Sequence, residues 1–378
     1  MQLIRADSSQ GKALTIALTQ TSTAIERLLQ TGMSTSSDHT VAQFGESFRH
    51  ISSLGVTRLG SNLRLLTQEI QRYVKQDDAF SARRLSFFLN RSWLMCQGLQ
   101  EALQQQNETL WQSLNLTPST ETLNDVDVIT LGVSKKLIAN VFAAFEFRLR
   151  VLDQQHALAG KTLIFSLVFS LASKGKEATV HPEAFLDFSQ PQNYYPRFLL
   201  SHAMRFSHAK ISHETEQRAR LTLTPDSTAA ALHPIAHQDG LSTLARENPD
   251  TVREQLINYC PSPFDLEIDL QSEILLETWE MGDTRHDPAF EDRYVINISA
   301  AGTDYIALVS SYTEGEALLL ALNALRKSAS RPPLFALMHY ELGQRVLQPL
   351  SVLEENGPRH LMLGQDKTDY KTLLKKLR

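Results

Sequence analysis

The spacing of apolar residues changes near residue 120, and this change constrains the fold more than any other feature of the chain. Before it, apolar residues recur at spacings of four and three, which places them on one face of an α-helix. After it, apolar and polar residues alternate, as is typical of strands with one buried face. The sequence therefore predicts an α+β protein: an N-terminal antiparallel helical bundle followed by an antiparallel β-rich domain with a few packed helices.

The first segment contains four helical patterns joined by short polar stretches, and a glycine follows each of the first two where a helix would end. The four apolar faces are Leu14, Leu18, Ile25 and Leu28; Val41, Phe44, Phe48 and Ile51; Leu59, Leu63, Leu66, Ile70 and Tyr73; and Leu85, Phe88, Leu89, Met95, Leu99 and Leu103. We predict a helical bundle domain over 1–115, a linker over 116–125 and a β-rich domain over 126–378.

The second segment carries the strand patterns, with turn residues at Gly282-Asp283 and Ala301-Gly302 that favour hairpins. Two helices interrupt it: one opens at Asn248-Pro249, the other at the capping box of Thr313 and Glu316. The predicted strands are 145–151, 163–171, 218–224, 264–270, 274–280, 294–299, 305–310, 334–340 and 345–352. A short basic helix is predicted to end the chain.

Composition bounds the class of protein. The chain has 378 residues, 42% hydrophobic and 21% charged, with a formal net charge of -5. This balance is typical of a folded protein and argues against a globally basic nucleic-acid binder. Two cysteines, Cys96 and Cys260, are too few for a disulfide framework and fit a reducing cytoplasm. Because no run of eighteen apolar residues occurs, no membrane partner is expected. The predicted location is cytoplasmic.

Five histidines fall between residues 202 and 237, and two of them have a spacing that suits a metal. His233 and His237 would share one face of a helix, where two imidazoles can hold Zn²⁺, with a third ligand from Asp239 or from the strand that carries His208. This pattern supports one alternative function, a metal-dependent hydrolase, with zinc as the cofactor, that uses the histidine-rich window 202–237 and the acidic strands 265–280. The main prediction is a chain without cofactors.

Carboxylates are concentrated further on. Residues 239–295 carry 14 Asp and Glu against 4 Arg. A surface of this charge would repel nucleic acid and attract a basic partner. Alternate positions of one predicted strand place three of the carboxylates on one sheet face, and two more follow. The predicted interaction residues are Asp265, Glu267, Asp269, Glu277 and Glu280.

No stretch carries a motif that names a reaction, since the chain lacks both a phosphate-binding loop and a nucleophile elbow. The sequence therefore favours a protein that is not an enzyme: a non-catalytic cytoplasmic subunit or adaptor that contacts other proteins in a larger assembly, with nucleic acid not expected as a partner. A second alternative is a nucleic-acid-binding accessory protein that uses arginines of the helical bundle. These are Arg58, Arg64, Arg72, Arg83, Arg84 and Arg91.

Overall fold

The computed structural model describes residues 4–77, 80–115, 120–138, 142–170, 182–214, 218–236, 241, 249–258, 271–288, 290–311, 313–328, 330–341 and 343–364. Its chain divides into two compact units, one helical up to residue 115 and one rich in strands from residue 120. The predicted α+β class is confirmed. Within the described ranges, no helix is long and apolar enough to cross a membrane.

The helical unit packs the four predicted faces into one apolar core, against which Val41, Phe48 and Phe88 are only partly buried. A fifth short helix, which the sequence patterns did not reveal, adds the fully buried ring of Trp111 to that core. Each large aliphatic or aromatic side chain of the core contributes ~1.5–3 kcal/mol through removal from water. The helices are α1 (Ser9–Thr31), α2 (Asp38–Ser53), α3 (Thr57–Val74), α4 (Ala82–Gln104) and α5 (Glu108–Asn115).

The strand-rich unit begins with a closed five-stranded barrel, here called barrel one. Its strand order is β1-β2-β3-β5-β4, and β1 pairs with β4 to close the ring, while β6 extends β4. The pair β3–β5 is parallel and the other pairs are antiparallel. The strands are β1 (Thr120–Ile138), β2 (Phe142–Val151), β3 (Thr162–Ser170), β4 (His202–His213), β5 (Arg218–Thr222) and β6 (Thr228–Pro234).

Barrel two follows and repeats this order. Strands β7 and β8 lie at the two ends of its sheet, order β7-β11-β12-β10-β9-β8, yet only residues 277–279 separate them in the chain. If β7 and β8 count as one bent first strand, the sheet closes as barrel one does, again with one parallel pair, β10–β12. Its elements are α6 (Pro249–Asn258), β7 (Ser272–Leu276), β8 (Glu280–His286), β9 (Arg293–Ala300), β10 (Thr303–Ser310), α7 (Thr313–Arg326), β11 (Leu334–Glu341), β12 (Gln344–Glu354) and β13 (Gly357–His360).

The two barrels meet along the middle of β1. Ile129 and Leu131 point out of barrel one into the apolar core of barrel two, and both are fully buried. Gly132 is required beside them, because a Cβ there would lie 2.8 Å from the Cβ of Leu350. A carbonyl of β1, that of Leu131, accepts a hydrogen bond from the hydroxyl of Ser351. The barrels therefore share buried surface and belong to one unit.

An ion cluster is buried in the same seam. The carboxylate of Glu273, on β7, accepts hydrogen bonds from the Arg150 guanidinium and, at 2.9 Å, from the Thr162 hydroxyl, while Arg148 lies 3.6 Å away. Burial alone would raise the pKa of Glu273, but the charges of Arg150 and Arg148 and these hydrogen bonds hold it below its usual range. Barrel one supplies the cations and barrel two supplies the anion.

Some predicted elements differ from the structure. Residues 120–125 of the expected linker belong to strand β1. Gly282-Asp283 lies inside β8, at a register irregularity between Met281 and Thr284, and does not form a hairpin turn. The predicted strand 264–270 and the predicted C-terminal basic helix fall outside the described residues.

Candidate functional site

The outward surface of β2 and β3 forms an open platform on barrel one. The inward side chains of these strands, among them Phe145, Phe147 and Phe165, fill the barrel and are buried. Because side chains alternate along a strand, the intervening positions point outward. We call this surface the β2–β3 face; it consists of Phe142, Ala144, Glu146, Ser166, Val168 and Ser170, paired across the two strands.

Cations flank the β2–β3 face on the neighbouring strands. Lys136 on β1 lies beside Ala144, which lies beside Val168 on β3. Lys136 is exposed, and the apolar side chain of Val168 is 64% exposed at the centre of the face. Arg220 on β5 donates from Nη1 to the Ser166 hydroxyl at 2.9 Å. The face thus offers an apolar centre with positive charge on both sides.

Carboxylates hold two of the arginines in place. Arg220 also donates from Nε to Glu214 at 2.9 Å, and Arg148 donates from Nη2 to Glu146 at 2.6 Å. A guanidinium fixed in this way keeps its position but loses part of its attraction for an added anion. Lys136 is therefore the cation of this face with the most charge available to a ligand.

The two barrels differ in overall charge. Residues 120–236, which span barrel one, carry 12 Lys and Arg against 11 Asp and Glu. Residues 271–364, which span barrel two, carry 7 against 13. An anionic ligand would therefore meet less repulsion on barrel one.

Of the three predicted zinc ligands, only His233 lies within the described residues. His233 is exposed on strand β6, with Nδ1 3.1 Å from the Pro234 carbonyl oxygen. The helical spacing that motivated the prediction is therefore wrong at His233, because this segment is extended. His237 and Asp239 lie outside the described residues. In the ranges that the structure covers, no three His, Cys, Asp or Glu side chains are arranged to hold a metal ion. The zinc site stays a prediction.

Of the five predicted interaction residues, two lie within the described residues. Asp265, Glu267 and Asp269 lie outside the described residues. Glu277 and Glu280 are exposed at the bend between β7 and β8. Their proposed role in docking a basic partner stays a prediction.

Most arginines of the helical bundle have structural roles. Glu69, 2% exposed, binds Arg72 and Arg84, the latter through Nε at 3.0 Å, and ties α3 to the start of α4. Arg58 donates to a carbonyl of α5, that of Ser113, at 2.9 Å. Arg91 is buried. The basic helical face on which the nucleic-acid alternative was based is therefore largely occupied within the bundle, although Arg64 and Arg83 are exposed.

The helical unit also has an open groove of about 490 Å³ between α1 and α2. Arg27, Glu46 and His50 line it together with hydroxyl and amide side chains. A small-molecule site is usually more enclosed and more apolar than this. We therefore assign no ligand to the groove.

Sequence reasoning missed an exposed aromatic cluster in barrel one. Tyr195 is 47% exposed and Phe198 is 39% exposed, and the ring of His202 lies next to Phe198. We call these three residues the aromatic patch. The run Tyr194-Tyr195-Pro196-Arg197-Phe198 was the available signal, because its aromatic residues follow neither a helical nor a strand period.

The strand order of both barrels defines a class of fold. A closed barrel in the order 1-2-3-5-4-1, with its third and fifth strands parallel, is the OB-fold. OB-folds typically bind oligonucleotides or oligosaccharides on the face of strands 2 and 3. The strand-rich unit is thus a pair of OB-type barrels.

No protein-family model and no curated protein matches the sequence. Among solved structures, the Ifi202 HINa domain in complex with 20-bp double-stranded DNA is similar at 7% identity and a TM-score of 0.28, covering 61% of this chain and 93% of that one. A murine DNA-binding protein bound to double-stranded DNA is similar at 10% identity and a TM-score of 0.27, covering 65% and 100%. The p202 HIN1 domain in complex with a 12-mer duplex is similar at 9% identity and a TM-score of 0.28, covering 62% of this chain and 92% of that one.

These neighbours contradict two predictions, the protein-contact adaptor as the main function and nucleic acid as an unexpected partner. The alternative of a nucleic-acid-binding accessory protein agrees with them better. Because the TM-scores lie below 0.5, the likeness itself carries no weight for this chain. Any case for nucleic acid must rest on the barrels.

Proposed function

We propose that the chain is a nucleic-acid-binding protein and that the β2–β3 face of barrel one is its binding surface. The observation that carries the proposal is the ring closure of barrel one in the OB order, which leaves an outward β2–β3 face available. The fold alone does not define a ligand, so the residues of the face must supply the chemistry.

The β2–β3 face supplies two kinds of contact. Lys136 provides an exposed cation for a phosphate, and Arg220 provides one that Glu214 holds in place. The half-buried ring of Phe142 and the exposed Val168 offer apolar surface for bases or sugars. Nonspecific nucleic-acid binding by OB-folds combines such backbone cations with apolar and aromatic surface.

Barrel one is the better candidate of the two because its charges nearly balance, whereas barrel two is acidic. With few cations on the face, we expect few phosphate contacts and a shallow dependence of affinity on salt. Each contact to a single strand changes the slope of log K against log salt by about -0.7. A slope between about -1 and -3 fits this surface.

The test is charge reversal at Lys136. We expect Lys136→Glu to weaken binding of a fluorescein-labelled 20-nucleotide oligo(dT) about three- to tenfold, and to make the salt slope shallower by about 1. Fluorescence anisotropy at several salt concentrations measures both. Lys210→Glu is the matched control: Lys210 is exposed on β4, a strand that pairs with neither β2 nor β3.

Equal losses in the two variants would mean that net charge and not the β2–β3 face governs binding. A parent protein that binds neither oligo(dT) nor duplex DNA would reject the proposal. If that parent protein instead bound oligosaccharides, its ligand would belong to the second class that OB-folds bind.

The cytoplasmic location belongs to the same proposal. Cys96 is a free thiol buried in α4, and burial raises its pKa to about 12. A protonated, inaccessible thiol of this kind is an ordinary core residue of a protein from a reducing compartment.

A further inference from the structure

We propose that the aromatic patch stacks unpaired nucleobases, so that the chain binds single-stranded nucleic acid more tightly than duplex. This inference rests on the proposed function and adds a second surface, separate from the β2–β3 face. It concerns the segment between β3 and β4, where Tyr195 and Phe198 lie, together with His202, the first residue of β4.

The rings of the patch lie next to one another. The ring centroids of Tyr195 and Phe198 are 6.2 Å apart, and those of Phe198 and His202 are 5.1 Å apart. Both pairs meet edge to face, at interplanar angles of 74° and 89°. In such pairs the edge of one ring contacts the face of the next, so part of the aromatic surface stays open to a ligand.

The backbone under the patch is held firmly. Pro196 starts a 3-10 turn, Pro196–Leu200, and the buried side chain of Leu199 anchors that turn in the barrel core. The Leu200 carbonyl oxygen lies 3.2 Å from Nε2 of His360 in barrel two. The Ser201 carbonyl accepts from the Ile235 amide at 2.9 Å. A rigid platform loses little conformational entropy when a ligand binds.

Polar groups on the rings favour a base over an aliphatic side chain. Tyr195 carries a hydroxyl, and Nδ1 of His202 lies 2.9 Å from the Ser201 hydroxyl, which fixes the orientation of the imidazole. Between the two exposed rings in sequence, the Arg197 guanidinium is held by Asp187 through Nε at 2.7 Å. Because this guanidinium is already paired, the flat rings with their hydrogen-bonding edges are the groups that match the chemistry of nucleobases.

Strand selectivity follows from the geometry of nucleic acids. In a duplex the base faces are covered by their neighbours, so a protein ring cannot stack on them without unstacking the helix. In a single strand the bases can turn out onto aromatic side chains at little cost. The patch therefore contributes to single-strand affinity and not to duplex affinity.

The experiment compares aromatic substitutions in the full chain. The probes are fluorescein-labelled 20-nucleotide oligo(dT) and a 20-bp duplex, measured by anisotropy. We expect Phe198→Ala and Tyr195→Ala each to weaken oligo(dT) binding about 5- to 30-fold and to leave duplex binding unchanged. The matched control is Phe290→Ala, because Phe290 is similarly exposed, at 44%, but lies in barrel two against Arg293.

A second variant separates stacking from a loss of structure. Phe198→Trp keeps an aromatic face, so its affinity for oligo(dT) should equal or exceed that of the parent. Stacking should quench the tryptophan fluorescence that this substitution adds to that of the parent, measured with unlabelled oligo(dT). Phe198→Leu keeps apolar surface without a π-face and should bind like Phe198→Ala. Thermal melting checks that each variant is folded.

The inference is overturned by a parent that prefers duplex, by Phe198→Ala binding oligo(dT) like the parent, or by unquenched fluorescence in Phe198→Trp. If Lys136→Glu still weakens binding in those cases, the β2–β3 face remains the binding surface and only the aromatic patch is rejected. A parent that binds neither probe rejects both proposals.

Discussion

Barrel one and barrel two share one strand order but differ in charge and in the segment that joins their third and fourth strands. In barrel two that segment is helix α7 (Thr313–Arg326), whereas in barrel one it includes two 3-10 turns and two residues of the aromatic patch, Tyr195 and Phe198. Barrel one has nearly balanced charges, while barrel two has almost twice as many acidic as basic residues. The shared topology explains how each chain segment closes into a barrel, and the differences decide which barrel suits an anionic ligand.

The seam between the barrels tests whether they act as one body. Glu273→Ala should lower the free energy of unfolding by about 3–5 kcal/mol, because the buried Arg150 would lose this carboxylate and Arg148 would keep only Glu146. This is the largest effect that we expect. Scanning calorimetry measures it, with Glu277→Ala as the control, since Glu277 is exposed and directly follows the last residue of β7, Leu276. A small effect in Glu273→Ala would show that the barrels do not depend on the cluster.

The same cluster predicts a dependence of stability on pH. The pKa of Glu273 is lowered in the folded protein, so its contribution is complete above the unfolded value of about 4.3 and is lost as pH falls through the folded value. Glu273→Gln should therefore show a shallower loss of stability below pH 4 than the parent. Urea denaturation from about pH 3 to about pH 7 measures the two curves. Parallel curves would contradict this assignment.

A smaller effect is expected from the glycine of the seam. Gly132→Ala should destabilise the protein by about 1–3 kcal/mol, because the new methyl group would overlap Leu350 and Phe335. Gly282→Ala is the control in barrel two, where the added Cβ would lie 3.5 Å from the Cβ of Asn297, an ordinary contact. Equal melting temperatures for the two variants would mean that the barrels can move apart at this point.

The smallest effect concerns His360, which connects β13 of barrel two with the turn below the aromatic patch. Burial lowers its pKa to about 4, although the bond to the Leu200 carbonyl acts in the opposite direction. The unfolded chain binds a proton near pH 6.5, so stability falls as pH drops from there toward 4. We expect a loss of about 1–2 kcal/mol between pH 7 and pH 5.

His360→Leu should remove that part of the pH dependence. Urea denaturation at the two pH values checks it, and His39→Gln, an exposed histidine of α2, is the control. If His360→Leu loses as much stability on acidification as the parent, another group is responsible.

The helical bundle was predictable because its information is local. Each apolar face repeats within one helix, and the buried residues of α1, α3 and α4 are the ones that the spacing selects. Helix α5 was missed because its eight residues cover too few turns to show a period. Pairwise packing of helices required no information about distant strands.

The barrel closure could not be read in the same way. Strand β1 begins within a stretch rich in Thr, Ser, Asn and Asp that resembles a linker. Its acidic positions are satisfied from far along the chain: Asp127 accepts two hydrogen bonds from Arg205, at 2.6 and 2.7 Å. The pairing of residues about eighty positions apart does not change the spacing of apolar residues in either segment, so the sequence pattern does not show it. The candidate surfaces were missed for the same reason, because they exist only after closure places Lys136, Ala144 and Val168 side by side.

The buried seam has a consequence for how this protein is made and handled. A fragment that ended after β6 would present Ile129 and Leu131 to water and would leave the Arg150 guanidinium without its carboxylate. During synthesis, barrel one emerges first and must wait for β7 before its outer side is covered. A preparation of barrel one alone should therefore aggregate unless these positions are made polar, and the smallest piece worth expressing spans both barrels.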